Sequence, residues 1–263
     1  MSMFWAFMKI HFKSMIEYRG AFISHCIAKI MGWGADFLML FVMISQVSDL
    51  DGWGAYEMLL LFGLQLFSYS MAGFFFYNIK ENIPQYMQLG EFDQVLTKPI
   101  NPLLFLVCRE FNTGYFSNLI VAGAAIVIAF VNLHIKVNFI SMIWLIISLI
   151  GGTFIFAGIM LIQIIPSFWT IKTDSIGKMD WVFQTVSRYP LTIFAKSLRI
   201  ALTFIIPYAF INFYPAQIFI SNGEFLAGPS FVKYMTLPIG ILFFSIMYFI
   251  WKKALQHYGS SGS

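Results

Sequence analysis

Charge is what this sequence has least of. Only 11% of its 263 residues are Asp, Glu, Lys or Arg, less than half of the roughly 25% carried by an ordinary soluble domain. So few charges cannot cover a water-facing surface, and with 59% of the residues hydrophobic the apolar excess has to face lipid. Cysteine is nearly absent as well. Cys26 and Cys108 form no CxxC or Cys/His cluster, which reads as two free thiols rather than a disulfide or a metal site. Enzymatic signatures are missing. There is no G-x-x-x-x-G-K-[ST] loop to cradle phosphates, no Ser framed as G-x-S-x-G, and His11, His25, His134 and His257 stand far apart. The net charge of +4 would point to nucleic acid in a soluble chain; here it records basic loops beside a membrane.

What is present is a series of long apolar runs. A span needs ~20 apolar residues to cross a hydrocarbon core about 30 Å thick. Six segments meet that length: residues 27–47, 56–77, 114–131, 138–165, 195–213 and 231–251. The fourth is longer than needed and is expected to tilt or to break near Gly151-Gly152. The expected fold is therefore an all-α polytopic membrane protein with six transmembrane helices, forming one domain over 1–263 without internal repeats.

The first twenty residues lack the apolar run and small-x-small site of a cleavable signal. On a helix, Lys9, Lys13 and Glu17 share one side, and Phe4, Phe7, Met8, Phe12, Met15 and Ile16 take the other. That pattern suits an interfacial helix over 1–20. With the N-terminus placed in the cytoplasm, only Lys136 and Lys233 fall outside and Lys29 falls within the first span, leaving thirteen of the 16 basic residues inside. The positive-inside rule then puts both termini in the cytoplasm of a multi-pass protein of the cell membrane. Residues 79–102 and 166–190 become long cytoplasmic segments. Residues 214–230, with Pro215, Gly223, Gly228 and Pro229, become an external re-entrant turn.

A gradient-driven carrier shows ionisable groups deep in its spans, and Asp36 is the clear case here. His25, Lys29, Gly32 and Asp36 share a helical face by their spacing. Lys29 is long enough to snorkel, but the carboxylate of Asp36 is not. It either pairs with a cation on another helix, lines a hydrophilic cavity of the translocation path, or sits nearer the outer surface. Gln65 and Tyr69 in the second span face either the path or a neighbouring helix. Pro207, inside the fifth, permits a kink.

One of the few long polar passages is NIKENIPQYMQLGEFDQVLTKPINP, residues 78–102. Pro84 is placed to open a short helix after Asn82, and Gly90 suits its C-terminal cap. A second helical turn over 91–96 has acidic groups at its start, where the helix dipole favours them. Phe92, Val95 and Leu96 make an apolar knob, and Pro99 stops the helix. By physics alone this is either a helix steadying the loop at the bilayer surface or a docking element.

GEFDQVLTKPINPL, residues 90–103, resembles the G-x-[LF]-D-x-x-L-x-[KR]-P-x-x-P-L passage of the type-2 permeases of ATP-binding-cassette exporters. RYPLTIFAKSLRIALTFIIPYAFINFYPA, residues 188–216, is similar to that family's aromatic-Pro pair, apolar helix with an internal proline, and closing Pro-Ala. The ending WKKALQHYGSSGS resembles its basic-aromatic tail. The resemblance implies the type-2 exporter permease fold. It also implies a second permease subunit, identical or paralogous, and two copies of an ATP-binding subunit that carry the ATP and Mg. This chain itself would hold no cofactor, no metal and no nucleic acid. In that family the loop after span two seats on the motor, so Gly90, Glu91, Phe92, Asp93, Leu96, Lys98 and Pro99 become the expected contacts, with Phe92 and Leu96 as knobs. Residues 167–188 would be a second contact or a surface element. The competing classes are a gradient-driven carrier using Asp36 and a membrane scaffold.

Overall fold

The computed structural model describes residues 2–45, 52–169, 182, 184–186, 188–220 and 231–259. Among these the chain is helical throughout. Helix α1 (Ser2–Glu17) is followed almost at once by α2 (Arg19–Ser45). The longest element, α3 (Ala55–Gln88), leads through α4 (Phe92–Leu96) into α5 (Pro102–Arg109). Two apolar helices follow, α6 (Phe116–Asn132) and α7 (Phe139–Ile164). After them come a broken stretch containing α8 (Lys196–Ile200) and α9 (Phe213–Ala216), and finally α10 (Thr236–Leu255).

Four of these helical stretches are long and apolar enough to span a membrane: Ala55–Gln88, Thr113–Asn132, Phe139–Phe168 and Thr236–Leu255. A fifth is available if Lys196–Ile205 and Tyr208–Ala216, which meet at 74°, count as one broken span. Six spans were expected, and four to five are found among the described residues. The shortfall is at the first: α2 covers residues 27–45 of it, and residues 46–51 lie outside the described set. The expected kink at Pro207 is present. Pro207 is buried at the bend, after a π-helical turn over Ala201–Ile205 whose Ile206 N–H donates to Ala201 O at 3.1 Å. Of the external turn over 214–230, residues 221–230 lie outside the description, as do residues 170–181 of the segment 166–190.

Two expectations are corrected. First, of the tilt or break expected near Gly151-Gly152, the break is absent, since α7 is helical across both glycines. Those glycines serve close packing instead. A β-carbon on Gly151 would stand 2.7 Å from the Leu237 backbone nitrogen, and one on Gly240 would overlap the Gly151 carbonyl oxygen. This small-residue seam lets α7 and α10 approach backbone to backbone, the packing that membrane helices favour when no hydrophobic force drives them together. Second, Pro84 does not start a new helix; it lies inside α3. The missing N–H costs one hydrogen bond. Ile79, Ile83 and Met87, spaced four apart, are all buried and keep the helix seated through the proline. At 1.5 Å per residue α3 is about 50 Å long, so several turns project beyond a hydrocarbon core of about 30 Å.

The core lies along α3. It packs α6 on one side and α7 on another, and α7 in turn packs along α10. Asn138 caps α7 reciprocally with Ser141, the Ser141 N–H donating to Asn138 Oδ1 at 2.7 Å and the Asn138 N–H to Ser141 Oγ at 2.9 Å.

Candidate functional site

The projecting end of α3 builds the first feature. Leu89 N–H donates to Gln85 O at 3.0 Å, and Gly90 then takes φ +72°, a left-handed turn that glycine adopts without strain. The chain reverses into α4, where Asp93 N–H donates to Gly90 O at 3.3 Å. After α4, Asn101 caps α5 by accepting from Leu103 N–H at 3.0 Å and Leu104 N–H at 3.3 Å, with Pro102 at the first helical position. Sequence reading ended its helices at Pro99 and missed α5, although the Asn-Pro pair is a helix-start signal. The result is a helix–turn–helix tip that leaves Glu91, Gln94, Leu96, Thr97, Lys98 and Pro99 exposed, with Gly90 and Asp93 half-buried.

Phe92 was expected to project as a knob, and that orientation is corrected. Its ring and Val95 are fully buried. Phe92 meets Phe168, at the end of α7, edge to face at 5.9 Å, and Tyr258, beyond α10, at 5.1 Å. Phe168 also meets Trp251 of α10 at 6.3 Å. A five-residue helix cannot hold itself together in water, so this aromatic seat is what fixes α4. Burial first, and the Asp93 carboxylate beside it second, push the Tyr258 hydroxyl above its ordinary pKa, so it stays neutral well past physiological pH.

Further polar ties secure the tip. The Glu110 carboxylate, nearly buried, accepts from Asn82 Nδ2 at 2.8 Å and the Tyr86 hydroxyl at 2.7 Å, and pairs with Arg109 Nε at 3.1 Å. Asn101 Nδ2 donates to the Tyr248 hydroxyl of α10. Phe7 of α1 meets Phe105 of α5 at 6.1 Å. The tip is therefore in contact with α1, α3 and α10 and with the end of α7.

The second feature lies on α2. Asp36 Oδ2 pairs with Arg188 Nη1 at 3.1 Å, with the arginine side chain 15% and the aspartate side chain 45% exposed. Asp36 is thus paired with a cation, though one in a turn and not, as expected, on another helix. The Arg188 guanidinium also lies 5.3 Å from the Trp33 ring, and Lys29 Nζ stands 3.8 Å from the Tyr115 ring centroid. The Tyr69 hydroxyl is 3.3 Å from that of Tyr115, and Trp33 packs on Tyr69 at 6.0 Å. Gln65, buried, donates through Nε2 to Gln184 O at 2.8 Å. Asp36 and Tyr69 thus share one aromatic and cationic neighbourhood, with Gln65 on the same helix as Tyr69. Pro207 stands apart at the bend of the broken stretch.

Such a chain, all-helical with four to five candidate spans, is a multi-pass membrane protein. It belongs to the ABC-2 family transporter proteins, whose profile matches residues 30–262. Membrane proteins of this family typically carry no ATPase site and work with partner ATP-binding subunits. No curated protein and no solved structure matches the chain.

Proposed function

We propose that this chain is the permease subunit of an ATP-driven exporter in the cell membrane. In this reading α2 supplies the sixth span beside the five candidates, and both termini are cytoplasmic. Two permease subunits enclose the translocation path, and two ATP-binding subunits, which hold the ATP and Mg, power it. The observation that carries the reading is the tip at residues 89–99. It is exposed and capped, and it is tied through Phe92 to the ends of α7 and α10 and through α3 to the core.

The work follows from that connection. Leu96 offers an apolar contact to a motor groove, while Glu91, Asp93 and Lys98 set register by charge. Gly90 and Pro99 hold the two ends of the segment in shape. Drawing two seated tips together applies a lever to α3, α7 and α10, and a packed bundle answers by exchanging one packing for another. Asp36, Gln65, Tyr69 and Pro207 are assigned to the path and its movement. Co-purification tests the reading. A stoichiometric partner bearing a phosphate-binding loop, together with vanadate-sensitive transport, is the expected result. Transport that proceeds without any such partner would overturn it.

A further inference from the structure

A cavity of about 600 Å³ opens between α8 and the start of α10, within the 300–1,000 Å³ range of ligand sites. Its wall is almost entirely apolar, with Phe204, Phe231 and Met235 among the lining residues. Phe204 is 80% exposed and Phe231 57%, so the cavity opens sideways, between helices, instead of into the bundle. Two cations line it as well: Lys196, exposed, and Arg199, half-buried, three apart and so neighbours on one face of α8. The charge count put both in the cytoplasm, and their place beside the start of α10, the end that count puts outside, corrects it for these two residues. Among the described residues no Asp or Glu lines it and neither cation is in a salt bridge. An apolar slot beside two cations is complementary to an acyl chain carrying an anionic head.

We propose that this groove is a binding site for an anionic phospholipid of the surrounding bilayer, with its phosphate held by Lys196 and Arg199 and an acyl chain lying along Phe204, Phe231 and Met235. Basic pockets between membrane helices take anionic headgroups in this way. The site does not depend on how transport is powered, so it stands or falls separately from the exporter reading.

The test uses the full chain in detergent. Retention of phosphatidylglycerol and phosphatidylcholine is measured by native mass spectrometry. At the usual worth of a cation near a lipid phosphate, two of them favour phosphatidylglycerol by about thirtyfold. The double variant Lys196→Gln/Arg199→Gln is expected to bring the two lipids close to parity. Lys196→Arg/Arg199→Lys is expected to keep the preference, as is Lys252→Gln/Lys253→Gln at the far end of α10. A bimane attached through Phe204→Cys should be quenched by spin-labelled phosphatidylglycerol more strongly than by spin-labelled phosphatidylcholine. Equal retention of the two lipids by the unaltered chain would overturn the proposal. So would a preference that survives loss of both cations, or a bimane that neither lipid quenches, the result expected if a second copy of the chain covers the groove.

Discussion

The rings of Tyr258 and Phe92 meet edge to face, 5.1 Å between centroids and 71° between planes. Tyr258 lies beyond the last helix of the chain, whereas Phe92 lies in a five-residue helix at the tip of α3. The contact makes the C-terminal region a structural part of the tip, and it sets what substitutions there should do.

Phe92→Ala is expected to act first on stability. Truncating a fully buried phenylalanine costs about 3–5 kcal/mol, and here it also empties the seat shared with Phe168. Tyr258→Ala removes two edge-to-face contacts, with Phe92 and Phe168, worth about 1–3 kcal/mol together. Tyr258→Phe keeps both rings in place. Thermal unfolding in detergent should therefore rank Phe92→Ala as most destabilised, then Tyr258→Ala, then Tyr258→Phe. The pH dependence has a defined sign. The Tyr258 hydroxyl is raised in the folded state, so the unfolded chain loses that proton first, and the contribution is present below the ordinary tyrosine pKa and fades as pH rises above it. Tyr258→Phe should flatten that alkaline loss. A Phe92→Ala chain that melts like the unaltered one would contradict the aromatic seat.

Leu96→Ala and Lys98→Glu should behave in the opposite way. Both residues are exposed, and surface substitutions of this kind usually move stability by no more than about 0.5 kcal/mol. Their effect is expected on motor binding, about tenfold in affinity for a contact worth more than 1 kcal/mol. The measurement is the amount of ATP-binding subunit that co-purifies with equal amounts of permease. Unchanged binding in both variants would remove this face of the tip from the motor contact.

Much of this architecture was legible along the chain. The spans at residues 114–131 and 138–165 coincide with α6 and α7 to within a few residues, because long apolar runs carry their own boundaries. Gly90 was readable as a cap, and Pro207 as a bend. The direction in which Phe92 points was not, because a five-residue helix has no second turn to reveal which face is covered. The covering groups, Phe168 and Tyr258, arrive from distant parts of the chain. Pro84 misled for a related reason. Its local preference to start a helix is outweighed by the buried Ile79, Ile83 and Met87 stripe, which belongs to tertiary packing. The partner of Asp36 was equally hidden, since nothing near Asp36 in the sequence points to Arg188.

That pair yields a charge prediction. Arg188 is far less exposed than Asp36, so Asp36→Asn leaves a mostly covered guanidinium without its anion, whereas Arg188→Gln leaves a carboxylate that the protein only half covers and that the proposed path opens to water. Exposed pairs are worth about 0.2–1 kcal/mol, and breaking buried ones costs about 3–5 kcal/mol. Asp36→Asn should accordingly cost more stability than Arg188→Gln, and Arg188→Gln/Asp36→Asn together should cost less than the sum of the two. Thermal unfolding of the three variants, with transport measured at matched protein levels, checks it. Strict additivity would mean that the pair is not coupled. Transport unchanged by Asp36→Asn at normal protein level would remove Asp36 from the path.

Gly240 and Gly123 make a controlled comparison of what the α7–α10 seam is worth. Both sit inside apolar helices, and replacing either by alanine should help the helix itself by about 1 kcal/mol. Around Gly123 nothing lies within 4 Å of an added β-carbon, so Gly123→Ala should be neutral or stabilising. At Gly240 the added carbon meets the Gly151 carbonyl, which is main chain inside a packed helix and has no side-chain torsion with which to yield. The two helices would have to separate, at about 1–3 kcal/mol for overpacking, which exceeds the propensity gain over most of that range. Gly240→Ala is thus expected to lower the unfolding temperature while Gly123→Ala holds or raises it. Because α10 also carries Trp251 and leads to Tyr258, the same variant should loosen the seat of Phe92 and increase protease nicking of residues 89–99. Equal melting of the two alanine variants would show that the seam does not bind α7 to α10.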